Sequence, residues 1–183
     1  MNFVINRDYT QTGSVYSLEL ALRSIDAERN LRHLLLIEGD VVIDRDLIAR
    51  LLERGTADSA ATLLAPYEPH LSGTFAVVEG DKVTAWLHES VRSSEFDLRA
   101  SFKTVNLTFV QRGIPRIRLL NQVSQVITRS GAQAPLEYAM QTLIQEGLPI
   151  GAVTINGAPW FEVDTPEDLM IANELFPPSA ELS

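Results

Sequence analysis

Four consecutive apolar residues, Leu34-Leu35-Leu36-Ile37, run straight into Glu38-Gly39-Asp40. A strand with one solvated face alternates apolar and polar side chains. An unbroken run suits a strand covered on both faces, as in parallel sheets flanked by helices. Ala61 to Ala65 is a second such run. Between them Asp44 is placed to cap a helix that continues to about Glu53, with Leu47, Ile48, Leu51 and Leu52 at inward spacing. Upstream, Phe3–Ile5 reads as a short strand, 6–13 as a polar loop, and 14–25 as a helix. Val15, Leu18, Leu22 and Ile25 form the helix's apolar stripe and Ser14 its cap.

The middle of the chain changes character. Gly73 to Val78, the turn 79–82 and Val83 to Leu87 predict a hairpin. A polar stretch, 88–100, follows as a loop, and Phe102 to Val110 alternates like a strand. Helices are expected over 116–128 and 136–146, the second stopped by Gly147. Ala152 to Ile155 and Trp160 to Asp164 are late strand candidates. Thr165-Pro166-Glu167-Asp168 then combines cap, proline and acid at the start of a helix reaching Leu175. Early strand–helix alternation, a hairpin, and a final return to strand and helix predict an α/β fold with a mixed, mainly parallel sheet of Rossmann-like type. One domain is expected over 1–176, with 177–183 as a tail.

Charge limits the partners. The 183 residues carry 24 acidic and 15 basic side chains, a net charge of -9. Such a chain gains nothing from the field of a nucleic-acid backbone. It could still hold a nucleotide locally if metal ions offset the charge. Cysteine is absent, which removes thiolate metal sites and cysteine nucleophiles. No apolar run approaches the roughly 20 residues that cross a bilayer, and no signal pattern opens the chain, so no membrane partner and a cytoplasmic location are expected.

Two acidic spots are candidates for chemistry. Asp40 follows the carboxyl end of a strand, where open α/β sheets bind ligands, and Gly39 would allow close backbone approach. Glu162 and Asp164 lie two apart in an extended stretch and share a face. Three carboxylates from separated segments suit Mg²⁺ bridging a triphosphate. The competing readings are that Asp40 starts a loop and that Asp164 complements a helix dipole. Thr12-Gly13-Ser14 precedes a helix whose free N–H groups suit a base or phosphate, although capping explains them equally. Lys103 either reaches a phosphate or snorkels from an edge strand. Asn106 shares its strand, and Glu137 sits near a helix start.

Taken together these stretches resemble the nucleotidyltransferases that activate small phosphorylated amines and phosphonates, the phosphocholine and 2-aminoethylphosphonate cytidylyltransferases. Asn6-x-x-Tyr9-x-x-Thr12-Gly13-Ser14-x-Tyr16-Ser17-Leu18 resembles the family's segment beside the base, often Thr-Asn where this chain has Thr-Gly. Glu38-Gly39-Asp40 resembles its first metal motif, and Trp160 to Leu169 its second metal motif and closing helix. Ser72-Gly73-Thr74 and Phe102-Lys103-Thr104-Val105-Asn106 resemble its phosphonate branch, and Pro135-Leu136-Glu137-Tyr138 its Tyr-Glu helix start.

The resemblance implies CMP transfer from CTP to a small phosphonate or phosphate monoester, with Asp40, Glu162 and Asp164 on Mg²⁺. Thr12, Gly13 and Ser14 would line the base, and Lys103, Asn106 and Glu137 would face the acceptor. A sugar-1-phosphate nucleotidyltransferase and a non-catalytic binding module are the alternatives. One departure stands out. The family opens with a strand and a glycine-rich loop bearing arginine and lysine, and no such segment stands in this sequence. It implies an incomplete core and a half-built site: the start is misassigned, the gene is truncated, a complementing N-terminal chain supplies the missing half, or the chain is an inert remnant, and the sheet edge so exposed would invite a homo-oligomer.

Overall fold

A computed structural model describes residues 3–26 and 33–177. In chain order they form α1 (Ser14–Asp26), β1 (His33–Ile37), β2 (Val41–Ile43), α2 (Arg45–Ala57), β3 (Ala60–Pro66), β4 (Phe75–Glu79), β5 (Lys82–Leu87), β6 (Phe102–Gln111), α3 (Ile114–Ser130), α4 (Glu137–Gln145), β7 (Ile150–Thr154), β8 (Trp160–Glu162) and α5 (Pro166–Leu175). The expected elements are present with one exception. Phe3–Ile5 forms no strand: the segment has no pairing partner among the described residues, and Phe3 and Ile5 are 78% and 74% exposed. Of the expected tail, residues 178–183 lie outside the described residues.

The main sheet has the order β1-β6-β3-β7-β5-β4 and curls so that β4 also pairs with β6. It is mixed, as expected. Its parallel pairing, however, is confined to β3 and β7 among the described residues. The reason is the long strand β6, which inserts antiparallel between β1 and β3. The Leu34–Ile37 run is therefore not a covered central strand. β1 lies at the end of the sheet, antiparallel to β6, with its side chains half-buried and Ile37 exposed.

Two apolar layers sandwich the sheet. One joins Val15 and Leu22 of α1, Leu119 and Val123 of α3 and Met140 and Leu143 of α4 to Leu64, Val110 and Ile150. The other joins Leu47 and Leu51 of α2 to Leu63, Leu107 and Phe109. β1 contributes to both, Leu34 and Leu36 to the first and Leu35 to the second, as its twofold side-chain period requires. β1 also borders open space. A cavity of about 530 Å³ opens there, walled by Leu18, Ala21 and Ile25 of α1, by β1 itself and by Leu136 and Met140.

The acids are positioned by a second, smaller pairing. β2 runs antiparallel to β8 with Val41 opposite Glu162, and the ladder extends one step as Val163 donates its N–H to the Asp40 carbonyl at 2.8 Å. Two distant acidic motifs are thus brought side by side. α5 follows with a complete capping box: the Thr165 hydroxyl accepts the Asp168 N–H, and the Asp168 carboxylate accepts the Thr165 N–H. The Asp168 carboxylate also accepts the Asp164 N–H at 3.1 Å, so Asp164 joins the helix start through its backbone while its side chain takes no part.

Candidate active site

β6 changes partners midway, and the site is built around that change. Its start, Phe102 and Lys103, pairs with β4, while Leu107 onward pairs with β1. Between them lies Asn106, with a φ of 58°. Its amide donates to Glu38 Oε2 at 3.1 Å and to Glu162 Oε1 at 2.8 Å. A carboxylate oxygen accepts, so the amide turns its N–H groups and not its oxygen toward these acids. Lys103, 3% exposed, donates its Nζ to Glu162 Oε1 at 3.0 Å and to the Thr104 carbonyl at 3.0 Å. It neither snorkels nor sits free: burial at the partner change holds it on Glu162. Glu137, at the start of α4, accepts from the Thr74 hydroxyl at 3.2 Å.

These groups line two adjoining spaces. Lys103, Glu162 and Asp164, with Ser72, Thr74 and His88, surround a small polar cavity of about 170 Å³. Glu38 and Asp40 face the larger cavity beside β1. Asn106 and Glu137 line both. Negative charge is dense: burial, then Glu137, Asp40 and Glu162, push the Glu38 carboxyl up to about 7, against a smaller opposite pull from Lys103. Glu38 is not among the residues expected from the sequence. It lies in the Glu38-Gly39-Asp40 stretch that resembles the first metal motif, but it leaves β1 just before a turn, so no strand period pairs it with Asp40.

Asp40, Glu162 and Asp164 are neighbours, yet among the described residues no three acidic or histidine groups converge as a ready ligand set. Glu162 is held by Lys103 and Asn106. The Asp40 and Asp164 carboxylates have no cationic or hydrogen-bonding partner among the described residues. Two free carboxylates of this kind fit Mg²⁺, which takes one or two protein oxygens and fills its octahedron with water and phosphate.

Gly13 and Ser14 are stitched to the 132–136 segment. Gly13 donates its N–H to Ala132, and Ser14 Oγ accepts the Leu136 N–H at 2.9 Å instead of capping α1. Thr12 Oγ1 bonds Asp8 and Asn6. A Cβ on Gly13 would stand 2.5 Å from the Gln133 carbonyl oxygen, so glycine here serves a close backbone approach. Of the three, only Ser14 lines the larger cavity. Around Gly39, by contrast, an added Cβ meets no protein atom within 4 Å.

No known family profile matches the chain, and no curated protein matches it. Solved structures do. The inositol-1-phosphate CTP transferase from T. maritima superposes with a TM-score of 0.61 at 14% identity, over 93% of this chain and 63% of that one. The CTP:phosphocholine cytidylyltransferase from Streptococcus pneumoniae gives 0.66 at 14%, over 93% and 66%. A putative glucose-1-phosphate thymidylyltransferase from Bacillus anthracis gives 0.67 at 13%, over 90% and 61%. At this identity the shared property is the fold, which is the α/β mixed-sheet fold of nucleotidyltransferase structures. The chain spans less than two thirds of the length of each of these three proteins.

Proposed function

We propose that this chain carries the metal and acceptor side of a nucleotidyltransferase that joins a nucleoside monophosphate, CMP by resemblance, to a small phosphate monoester or phosphonate. The acceptor oxygen attacks the α-phosphorus of the triphosphate, that bond forms, and the bond to pyrophosphate breaks. The observation that carries the reading is the strip of carboxylates from the β1 and β8 ends beside a buried lysine, on this fold. Asp40, Glu162 and Asp164 are the groups to hold Mg²⁺, which would offset phosphate charge and orient the reacting oxygens. Lys103 supplies the one buried positive charge at the smaller cavity, suited to an acceptor phosphonate or phosphate. Glu137 faces the same space and would pair with an acceptor amine. Positioning and electrostatics do most of the work in phosphoryl transfer, so no further nucleophile is needed.

The fold is shared equally well with a protein described as a glucose-1-phosphate thymidylyltransferase. A sugar-1-phosphate acceptor is therefore the second reading. The test is NMR saturation transfer from the purified chain to CTP, with and without MgCl₂, followed by pyrophosphate release with 2-aminoethylphosphonate, phosphocholine or glucose 1-phosphate. Mg²⁺-dependent CTP contact is expected, and the acceptor that releases pyrophosphate selects between the two readings. No contact with any nucleoside triphosphate at millimolar concentration would leave a non-catalytic module.

A further inference from the structure

The kink in β6 has a measurable anatomy. Thr62 of β3 faces Thr108 and Leu64 faces Thr104, so Leu63 alone stands opposite Val105, Asn106 and Leu107. The surplus residues bulge, and Asn106 takes the left-handed conformation. Non-glycine residues there are uncommon, and asparagine and aspartate adopt it at least cost. Bulges beside active sites serve to re-aim a side chain.

Here the re-aimed group is an amide with two N–H donors, and each is taken by a different carboxylate, Glu38 at 3.1 Å and Glu162 at 2.8 Å. Its oxygen lies 3.0 Å from the Thr104 hydroxyl, and its backbone carbonyl accepts the Glu38 N–H at 3.3 Å. Every polar group of Asn106 that points toward the site is thus committed to protein. Glycine could take the backbone conformation but has no donors. Aspartate could take it but would add a third repelling carboxylate. Lysine or arginine would bridge the two acids but neutralise charge that a cation site needs. Asparagine alone combines tolerance of this backbone with two neutral donors.

We infer that Asn106 is a positioning residue that clasps Glu38 and Glu162 side by side, beside Asp40 and Asp164, and that it acts through these carboxylates instead of on the acceptor. The inference rests on the reading of this strip as a cation site. It departs from a substrate-binding role for Asn106, because the amide has no donor left to offer an acceptor.

The experiment compares Mn²⁺ affinity, by water-proton relaxation, and thermal unfolding for the purified chain, Asn106→Gly and Asn106→Ala. Asn106→Gly keeps the backbone conformation and deletes both donors. Its Mn²⁺ affinity is expected to fall at least tenfold, with the Glu38 amide still protected from exchange. Asn106→Ala is expected to lose the same affinity and to unfold at a lower temperature than Asn106→Gly, because alanine is strained at this φ. Affinity then tracks the amide, and stability tracks the backbone. If the parent chain binds Mn²⁺ and Asn106→Gly binds it with less than a tenfold loss, the clasp is overturned and the active-site reading stands. If the parent chain binds no Mn²⁺, the active-site reading itself fails and takes the clasp with it.

Discussion

Lys103 and Glu162 form an ion pair at 3.0 Å in which the lysine side chain is only 4% exposed and the glutamate 25%. A cation this deep is tolerated because its charge is matched and a second acceptor, the Thr104 carbonyl, takes another of its hydrogens. Removing one partner of a buried pair leaves the other uncompensated, while replacing both by apolar residues is often nearly neutral. Glu162→Gln is expected to destabilise the chain by about 2–4 kcal/mol in urea titrations, since it strands the more buried partner. Lys103→Met should cost less, because Asn106 still donates to Glu162. The double variant Lys103→Met with Glu162→Leu should recover most of the loss. A Glu162→Gln effect below about 1 kcal/mol would refute the pairing as a structural element.

Glu38 sets a pH dependence of definite sign. Its carboxyl is raised from 4.5 to about 7, first by burial and then by Glu137, Asp40 and Glu162. A group whose folded pKa exceeds its unfolded value contributes its full stability below the unfolded pKa and loses it as pH rises through the folded one. The chain is therefore expected to weaken between pH 4.5 and 7 on account of this residue. Glu38→Gln removes the effect. In EDTA the variant should match the parent near pH 4 and exceed it at pH 8 by about 1–2 kcal/mol, a figure reduced for the solvent that still screens the site. Equal pH profiles for the two proteins in thermal melts would show that Glu38 is not so perturbed.

How much of this was legible in the sequence depends on range. Local signals were readable. Asp44 does cap α2 and Thr165 does form the capping box, because caps are decided within a few residues. The apolar run at 34–37 is a strand, but its neighbours are not written in the run. Whether such a strand lies at the centre or the end of a sheet depends on where β6, some seventy positions on, inserts. Asp40, Glu162 and Asp164 could be picked out as acids at strand ends. Their adjacency depends on the β2–β8 pairing, and β2 is only three residues long. Glu38 stood in the quoted Glu38-Gly39-Asp40 stretch, but its weight comes from burial among other acids, which no local pattern encodes.

Gly39 and Gly55 separate space kept for packing from space left open. A Cβ at Gly55 would stand 2.1 Å from the Phe109 ring, so Gly55→Ala is expected to destabilise by about 1–3 kcal/mol in spite of alanine's helix preference. At Gly39 the same methyl meets no protein atom within 4 Å. Gly39→Ala should leave stability unchanged within about 0.5 kcal/mol. It should nonetheless weaken CTP contact in Mg²⁺ if a ligand approaches this backbone. Chemical denaturation reports the first property and saturation-transfer NMR the second. An unchanged nucleotide signal would remove Gly39 from the ligand's surroundings.

β1 ends the sheet without the usual protection. It carries no lysine, proline or bulge, and its side chains are apolar apart from His33. Exposed edges of this kind pair with whatever strand is offered. The phase of its hydrogen bonding can be read from one bond. Glu38 donates to the Asn106 carbonyl, in register with Leu36 opposite Thr108 and Leu34 opposite Val110. Antiparallel ladders alternate, so Leu34 and Leu36 face β6 while the N–H groups of Leu35 and Ile37 point away from it. Leu35→Pro therefore deletes a donor the sheet does not use, and Leu36→Pro deletes one it does. Light scattering across a concentration series is expected to show self-association of the parent chain that Leu35→Pro suppresses with the fold intact. Leu36→Pro should destabilise by about 3 kcal/mol or more. Equal destabilisation by the two prolines would show that the ladder phase is misread. Self-association unaffected by Leu35→Pro would show that copies meet through some other surface, with the 530 Å³ groove beside β1 left open to solvent.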